Sequence, residues 1–254
     1  MAALVGAEAT TFDAATRRRA SVEVKRLAYL YVWLTVASGA VVFSEPAPYD
    51  ALMIGAMLML PVVGLVRFTK EIGLYLMLWS LIVAGGFLAT VQAGMLDVPA
   101  KHMGITLYLA LSSVVMAAFV LDRPRANIRL IMSAYVLSAI VAATAGLIGY
   151  FALLPGTAEL FADGFGRVRG TFKDPNVLGA YLVPALLYVL NRAIRGGVVR
   201  ASFWLAAAPI LLFACLLASS RGAWVNLAVS IVVYAYLAFA SAGSHRQRLK
   251  LMIS

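Results

Sequence analysis

The chain has 254 residues, of which 63% are hydrophobic and only 13% charged, and its mean hydropathy is +0.92. Soluble domains run about 45–50% apolar and about 25% charged, so this composition excludes an ordinary water-soluble fold and makes lipid the solvent. The formal net charge of +10 raises nucleic acid as a partner, but the placement of the charges argues against it.

Residues 1–26 are expected to form a basic cytoplasmic tail, with 1–20 disordered. They are not a cleaved signal: Glu8, Asp13 and Glu23 are mixed with the basic residues, and no small-residue cleavage site soon follows the first apolar run. Eight runs free of Asp, Glu, Lys, Arg and His come next, at 27–43, 51–66, 72–91, 103–121, 130–154, 177–190, 203–218 and 223–240. A helix needs about 20 residues to cross the hydrocarbon, within a range of about 17–25, so the shorter runs must borrow flanking residues. The runs lack the alternation of a β-barrel, and backbone groups in lipid must bond internally. The expected fold class is therefore all-α, a polytopic transmembrane bundle of about eight helices in one domain, 27–254.

Cations mark the sides. Arg17, Arg18, Arg19, Lys25 and Arg26 precede the first run; Arg67 and Lys70, then Arg123, Arg125 and Arg129, then Arg192, Arg195 and Arg200 fill alternate connections; Arg246, Arg248 and Lys250 follow the last run. Only Lys101, Arg167, Arg169, Lys173 and Arg221 fall on the opposite side. By the positive-inside rule both termini are expected in the cytoplasm. This bias accounts for most of the excess charge and leaves nucleic acid unneeded.

The longest outward connection is 155–176, a loop of 22 residues; loops beyond about 12–15 residues are usually functional or disordered. Asp174 followed by Pro175 predicts a helix opening inside it, an acidic cap and then proline at the first helical position. The backbone donors of that opening favour an anion. Arg167 and Arg169 stand among Gly164, Gly166 and Gly170, where guanidinium forks and close backbone approach suit phosphate. The bland reading is a solvated loop whose arginines meet lipid headgroups. Arg221, in Ser219-Ser220-Arg221-Gly222, has apolar runs on both sides, where a charge is costly and usually faces a cavity or partner. Its bland readings are snorkelling to headgroups or pairing with Asp163 or Asp174.

Other candidates point to packing. Cys215 reads as a small core hydrophobe and, as the sole cysteine, excludes an intrachain disulfide. His102 reads as interfacial or capping, His245 as solvated, Asn226 as an interhelical hydrogen bond, and Gly85-Gly86 as close helix packing. No metal-ligand or nucleotide-loop motif occurs, so no metal and no cofactor is expected.

The stretch Arg167-Val168-Arg169-Gly170-Thr171-Phe172-Lys173-Asp174-Pro175-Asn176, with the small-residue helix after it, resembles the signature of the O-antigen ligase and oligosaccharide-polymerase family. Ser220-Arg221-Gly222-Ala223-Trp224 resembles that family's second signature, and the two occur in the expected order. The resemblance covers 167–240 by motif and the earlier helices by topology alone. It implies a multi-pass glycosyltransferase of the bacterial inner membrane. Its donor would be an undecaprenyl-pyrophosphate-linked glycan, and its acceptor another carrier-linked glycan or the lipid A core. By motif position, Arg221 and Arg167 would be catalytic, and Gly170, Thr171, Lys173, Asn176 and Ser220 would bind substrate; Arg169, which is not a fixed part of the signature, is added to them as an auxiliary substrate-binding residue. Family members continue into a large periplasmic loop that supplies a further arginine and a histidine. With the sequence ending at Ser254, a truncated or degenerate member is expected, the N-terminal portion of a longer protein. The competing function is a polytopic transporter or a flippase-like protein for lipid-linked glycans.

Overall fold

A computed structural model describes residues 22–44, 46–92, 97–195 and 198–240, with the side chains of 195–203 outside that description. The basic tail before residue 22 and the cluster of His245, Arg246, Arg248 and Lys250 lie outside the described residues. The described chain is helical, with two isolated β-bridges and no strand. In order come α1 (22–37), a 3₁₀ turn Ser38–Ala40, α2 (Pro48–Val62), α3 (Lys70–Val91), α4 (Asp97–Asp122), α5 (Pro124–Tyr150), the short α6 (Thr157–Phe161), α7 (Pro175–Arg195), α8 (Val198–Leu217) and α9 (Arg221–Ala240).

Five of these are long and apolar enough to cross a membrane: α3, α4, α5, α7 and α9. The span of α3 has a mean hydropathy of 2.0 and is only 6% buried; that of α9 has 1.8 and is 11% buried. Water does not tolerate such extended apolar faces, so the chain is a multi-pass membrane protein. Pro48–Val62 and Trp204–Leu217 are shorter apolar helices.

The chain divides into two compact units, one made of Met1–Thr35 with Tyr49–Ile131 and the other of Val36–Pro48 with Met132–Ser254. In the first, Ala28, Val32, Met53, Ala56, Leu60, Leu65 and Phe119 form a buried core. Its clearest local logic is the end of α2. Gly64 takes φ 70°, its N–H bonds Pro61 O, and Leu65 N–H bonds Leu60 O. That is a Schellman ending, with the usual apolar contact between its flanking residues. Asn127, 1% exposed, donates from Nδ2 to Phe119 O at 2.6 Å and so ties the start of α5 to α4.

The second unit is built round α7. Leu178, Leu182, Val183, Ala185, Leu186 and Val189 of α7 are buried with Ala139, Ala142 and Ala143 of α5, Leu211, Ala214 and Cys215 of α8, and Ala223 and Leu227 of α9. Pro184 interrupts the hydrogen-bond ladder of α7. One turn before it, Tyr181 O accepts the Tyr135 hydroxyl at 2.6 Å, and the Tyr181 hydroxyl pairs with Ser138 Oγ at 2.6 Å. Polar groups on α5 thus support the proline-weakened stretch.

Candidate functional site

The 162–176 segment is folded rather than open. Ala162 bridges Val168, and the turn between them closes with Asp163 N–H to Arg167 O and Gly166 N–H to Asp163 O. Gly166 sits at φ 73°, a conformation that suits glycine at a tight turn. The Asp163 carboxylate accepts the backbone N–H of Phe165 at 3.0 Å and of Arg167 at 2.7 Å.

Apolar side chains then anchor the segment. Val168 is fully buried and Phe172 is 4% exposed, both within the core of this unit. Gly170 takes φ 56°, and a Cβ there would lie 2.5 Å from Ala142 O of α5. Along α5, a Cβ at Gly146 would meet Val168 and one at Gly149 would meet Phe161 and Thr157. The two glycines, one turn apart, let the loop lie directly on the helix. Sequence reasoning passed over them; their spacing near a helix end was the available signal.

Asp174 caps α7 as expected, its carboxylate accepting the Asn176 N–H at 2.7 Å, and Pro175 is the first helical residue. One of the backbone donors assigned to an anion is therefore engaged by the cap. The α8–α9 turn is equally tight. Ser219 holds φ 47°, which costs a non-glycine residue about 1 kcal/mol or more. Ser220, 4% exposed, is the N-cap of α9, its Oγ accepting the Ala223 N–H at 3.3 Å. Gly179 of α7 makes room for this turn, since a Cβ there would stand 2.8 Å from that of Ala223 and 3.4 Å from that of Ser220.

Arg167 joins the two pieces. Its Nε donates to Ala218 O at 3.0 Å, and one terminal nitrogen donates to Ala218 O at 2.9 Å, to Ser219 O at 3.3 Å and to Asn176 Oδ1 at 3.0 Å. The last carbonyls of a helix have no partner within it, and a guanidinium is an apt donor to them. Beside this link, Val168 N–H bonds Leu217 O at 3.1 Å.

Of the remaining candidates, Arg169 donates from a terminal nitrogen to Glu159 O at 2.7 Å, while its Nε is buried with no partner. The Thr171 hydroxyl is likewise buried and unpartnered. Lys173 is exposed. Arg221 is the first residue of α9 and exposed. Neither expected carboxylate pairs with it: Asp163 and Asp174 both accept backbone N–H groups of their own turns.

Three packing expectations are refined. Asn226 makes an intrahelical bond, accepting from Ser230 Oγ at 3.2 Å, instead of reaching another helix. A Cβ at Gly86 would meet Met103 of α4, whereas Gly85 faces open space. Cys215 is buried, as a core hydrophobe should be, with its thiol 3.7 Å from Gly179 O. His102 belongs to the other unit. Among the described residues no cluster of His, Cys, Asp and Glu could hold a metal ion.

Comparison with known proteins returned no matching family model, no matching curated protein and no matching solved structure.

Chemically, the 162–176 segment carries Arg167, Arg169 and Lys173 and the α8–α9 turn carries Arg221; of these, Arg167 reaches across to the turn, while Arg169 Nε and the Thr171 hydroxyl are buried without partners. A cation at a helix N-terminus opposes the helix dipole. An anionic ligand at Arg221 would relieve that opposition.

Proposed function

We propose that this chain is a membrane glycosyltransferase of the O-antigen ligase or polysaccharide polymerase type in the bacterial inner membrane. In this reading it has eight spans, cytoplasmic termini and the 155–176 loop at the periplasmic face. Its donor is an undecaprenyl-pyrophosphate-linked oligosaccharide, and its acceptor is a hydroxyl of a second carrier-linked glycan or of the lipid A core. The supporting observation is Arg221, an exposed guanidinium at the N-terminus of α9, set in a turn that Arg167 ties to the loop.

The chemistry follows from charge. The acceptor hydroxyl oxygen replaces the diphosphate at the anomeric carbon and gives up its proton to the departing diphosphate or to water, and the lipid diphosphate gains negative charge as the bond between the anomeric carbon and its phosphate oxygen breaks. Fixed cationic donors aimed at that developing charge lower the barrier, and losing one such donor typically costs about 10²–10³ in rate. Arg221 supplies the exposed donor, and Arg169, Lys173, Gly170 and Thr171 are the further substrate contacts in this reading.

The test is complementation. In a source bacterium deleted for this gene, the wild-type protein restores long-chain surface glycan. Arg221→Ala, present at equal membrane abundance, does not. An unchanged glycan ladder with Arg221→Ala removes this reading, and solute uptake or lipid translocation without glycosyl transfer replaces it with a transporter.

A further inference from the structure

The guanidinium groups of Arg167 and Arg221 occupy opposite situations. That of Arg167 has its Nε and one terminal nitrogen committed to Ala218 O, Ser219 O and Asn176 Oδ1; that of Arg221 stands exposed one residue beyond the buried cap Ser220. The main-chain oxygens that Arg167 holds belong to the last two residues before that cap, and one of them, Ser219, is in the strained left-handed conformation. A strained turn persists only where its surroundings over-determine it. Here the constraints are the Arg167 fork from one side, the Val168 N–H to Leu217 O bond beside it, and the Gly179 contact from below.

We propose that Arg167 is a positioning residue. With Asn176 it latches the 162–176 segment to the end of α8, fixing where α9 starts and therefore where Arg221 stands. A planar fork suits this task because two of its nitrogens reach the same carbonyl while one also reaches the amide oxygen of Asn176. Asn176, assigned above by motif position to substrate binding, is the acceptor that holds the fork to α7. The assignment rests on the reading that Arg221 handles the lipid diphosphate, but the latch itself is a statement about geometry and can be measured without any transfer.

Trp224, exposed in the first turn of α9, reports that geometry. The full chain is labelled with 5-fluorotryptophan in lipid nanodiscs, the Trp224 fluorine resonance being assigned by its loss in Trp224→Phe. Transfer is followed in parallel in proteoliposomes supplied with a polyprenyl-diphosphate oligosaccharide. Arg167→Ala and Asn176→Ala are expected to move the Trp224 resonance in the same direction, and the double variant no further than Arg167→Ala. Asn176→Asp, which keeps the acceptor oxygen, is expected to retain the wild-type position. Transfer is expected to fall about tenfold or more in the two alanine variants. Because the Asn176 side chain is exposed, its two variants keep the test open even if Arg167→Ala does not fold. A resonance unmoved in Asn176→Ala overturns the latch, as does one equally moved in Asn176→Asp. Moved resonances with no transfer by the wild-type protein uphold the latch and discard the glycosyltransferase reading.

Discussion

Helix α3 and the junction of the 162–176 segment with the α8–α9 turn are ordered by different means. The α3 span is 6% buried; Ser80 and Thr90 bond back to carbonyls of their own helix, and Gly73 and Gly85 face open space. Its structure follows from backbone hydrogen bonding in an apolar solvent. At the junction and the helix face beneath it, backbone carbonyls, a guanidinium, a carboxamide and two capping side chains specify one another, and Gly146, Gly149, Gly170 and Gly179 admit neighbours where no Cβ fits. Composition suffices to make the first region. The second depends on individual atoms, so single substitutions should separate the two.

The largest stability effect is expected at Gly179. Valine there would drive its Cβ toward that of Ala223, 2.8 Å away, and overpacking of this kind costs about 1–3 kcal/mol. Equilibrium unfolding of the detergent-solubilised protein should show a loss in that range. Removing the α7 cap with Asp174→Ala should cost about 1 kcal/mol in the same assay. Ala152, at φ 49° just past α5, should respond in the opposite sense. Glycine accepts the left-handed region freely but loses more entropy on folding, and Ala152→Gly should stabilise by about 0.5 kcal/mol. Gly85→Ala on α3, with open space around its Cβ, should not destabilise and should gain about 0.5 kcal/mol, since glycine within a helix loses more entropy on folding than alanine. An equal response at Gly179 and Gly85 would erase the contrast between the regions.

What the sequence disclosed follows the same division. The start of α7 was legible because Asp174 and Pro175 act on their own neighbours. The apolar runs located the helices but missed their ends. The run to 154 overshot α5, which stops at Tyr150 with Ala152 left-handed. The run from 223 began two residues late, since the start of α9 depends on the Ser220 cap. Arg167 could be singled out as a phosphate-binding candidate, but the main-chain carbonyls it holds could not be foreseen. Carbonyl acceptors belong to every residue and leave no trace in a sequence. For the same reason Val168 and Phe172 could not be told from loop residues until α5 and α7 enclosed them, and Asn226 gave no sign of choosing Ser230 over another helix.

Reconstituted transfer isolates the role proposed for Arg221, stabilisation of a departing lipid diphosphate. Purified protein in proteoliposomes is supplied with a polyprenyl-diphosphate oligosaccharide and its acceptor, and the single-turnover rate is compared between wild type and Arg221→Ala. Product is expected from the wild type and a rate at least about 10²-fold lower from the variant, with both proteins unfolding at the same temperature. Equal rates for the two proteins would contradict it.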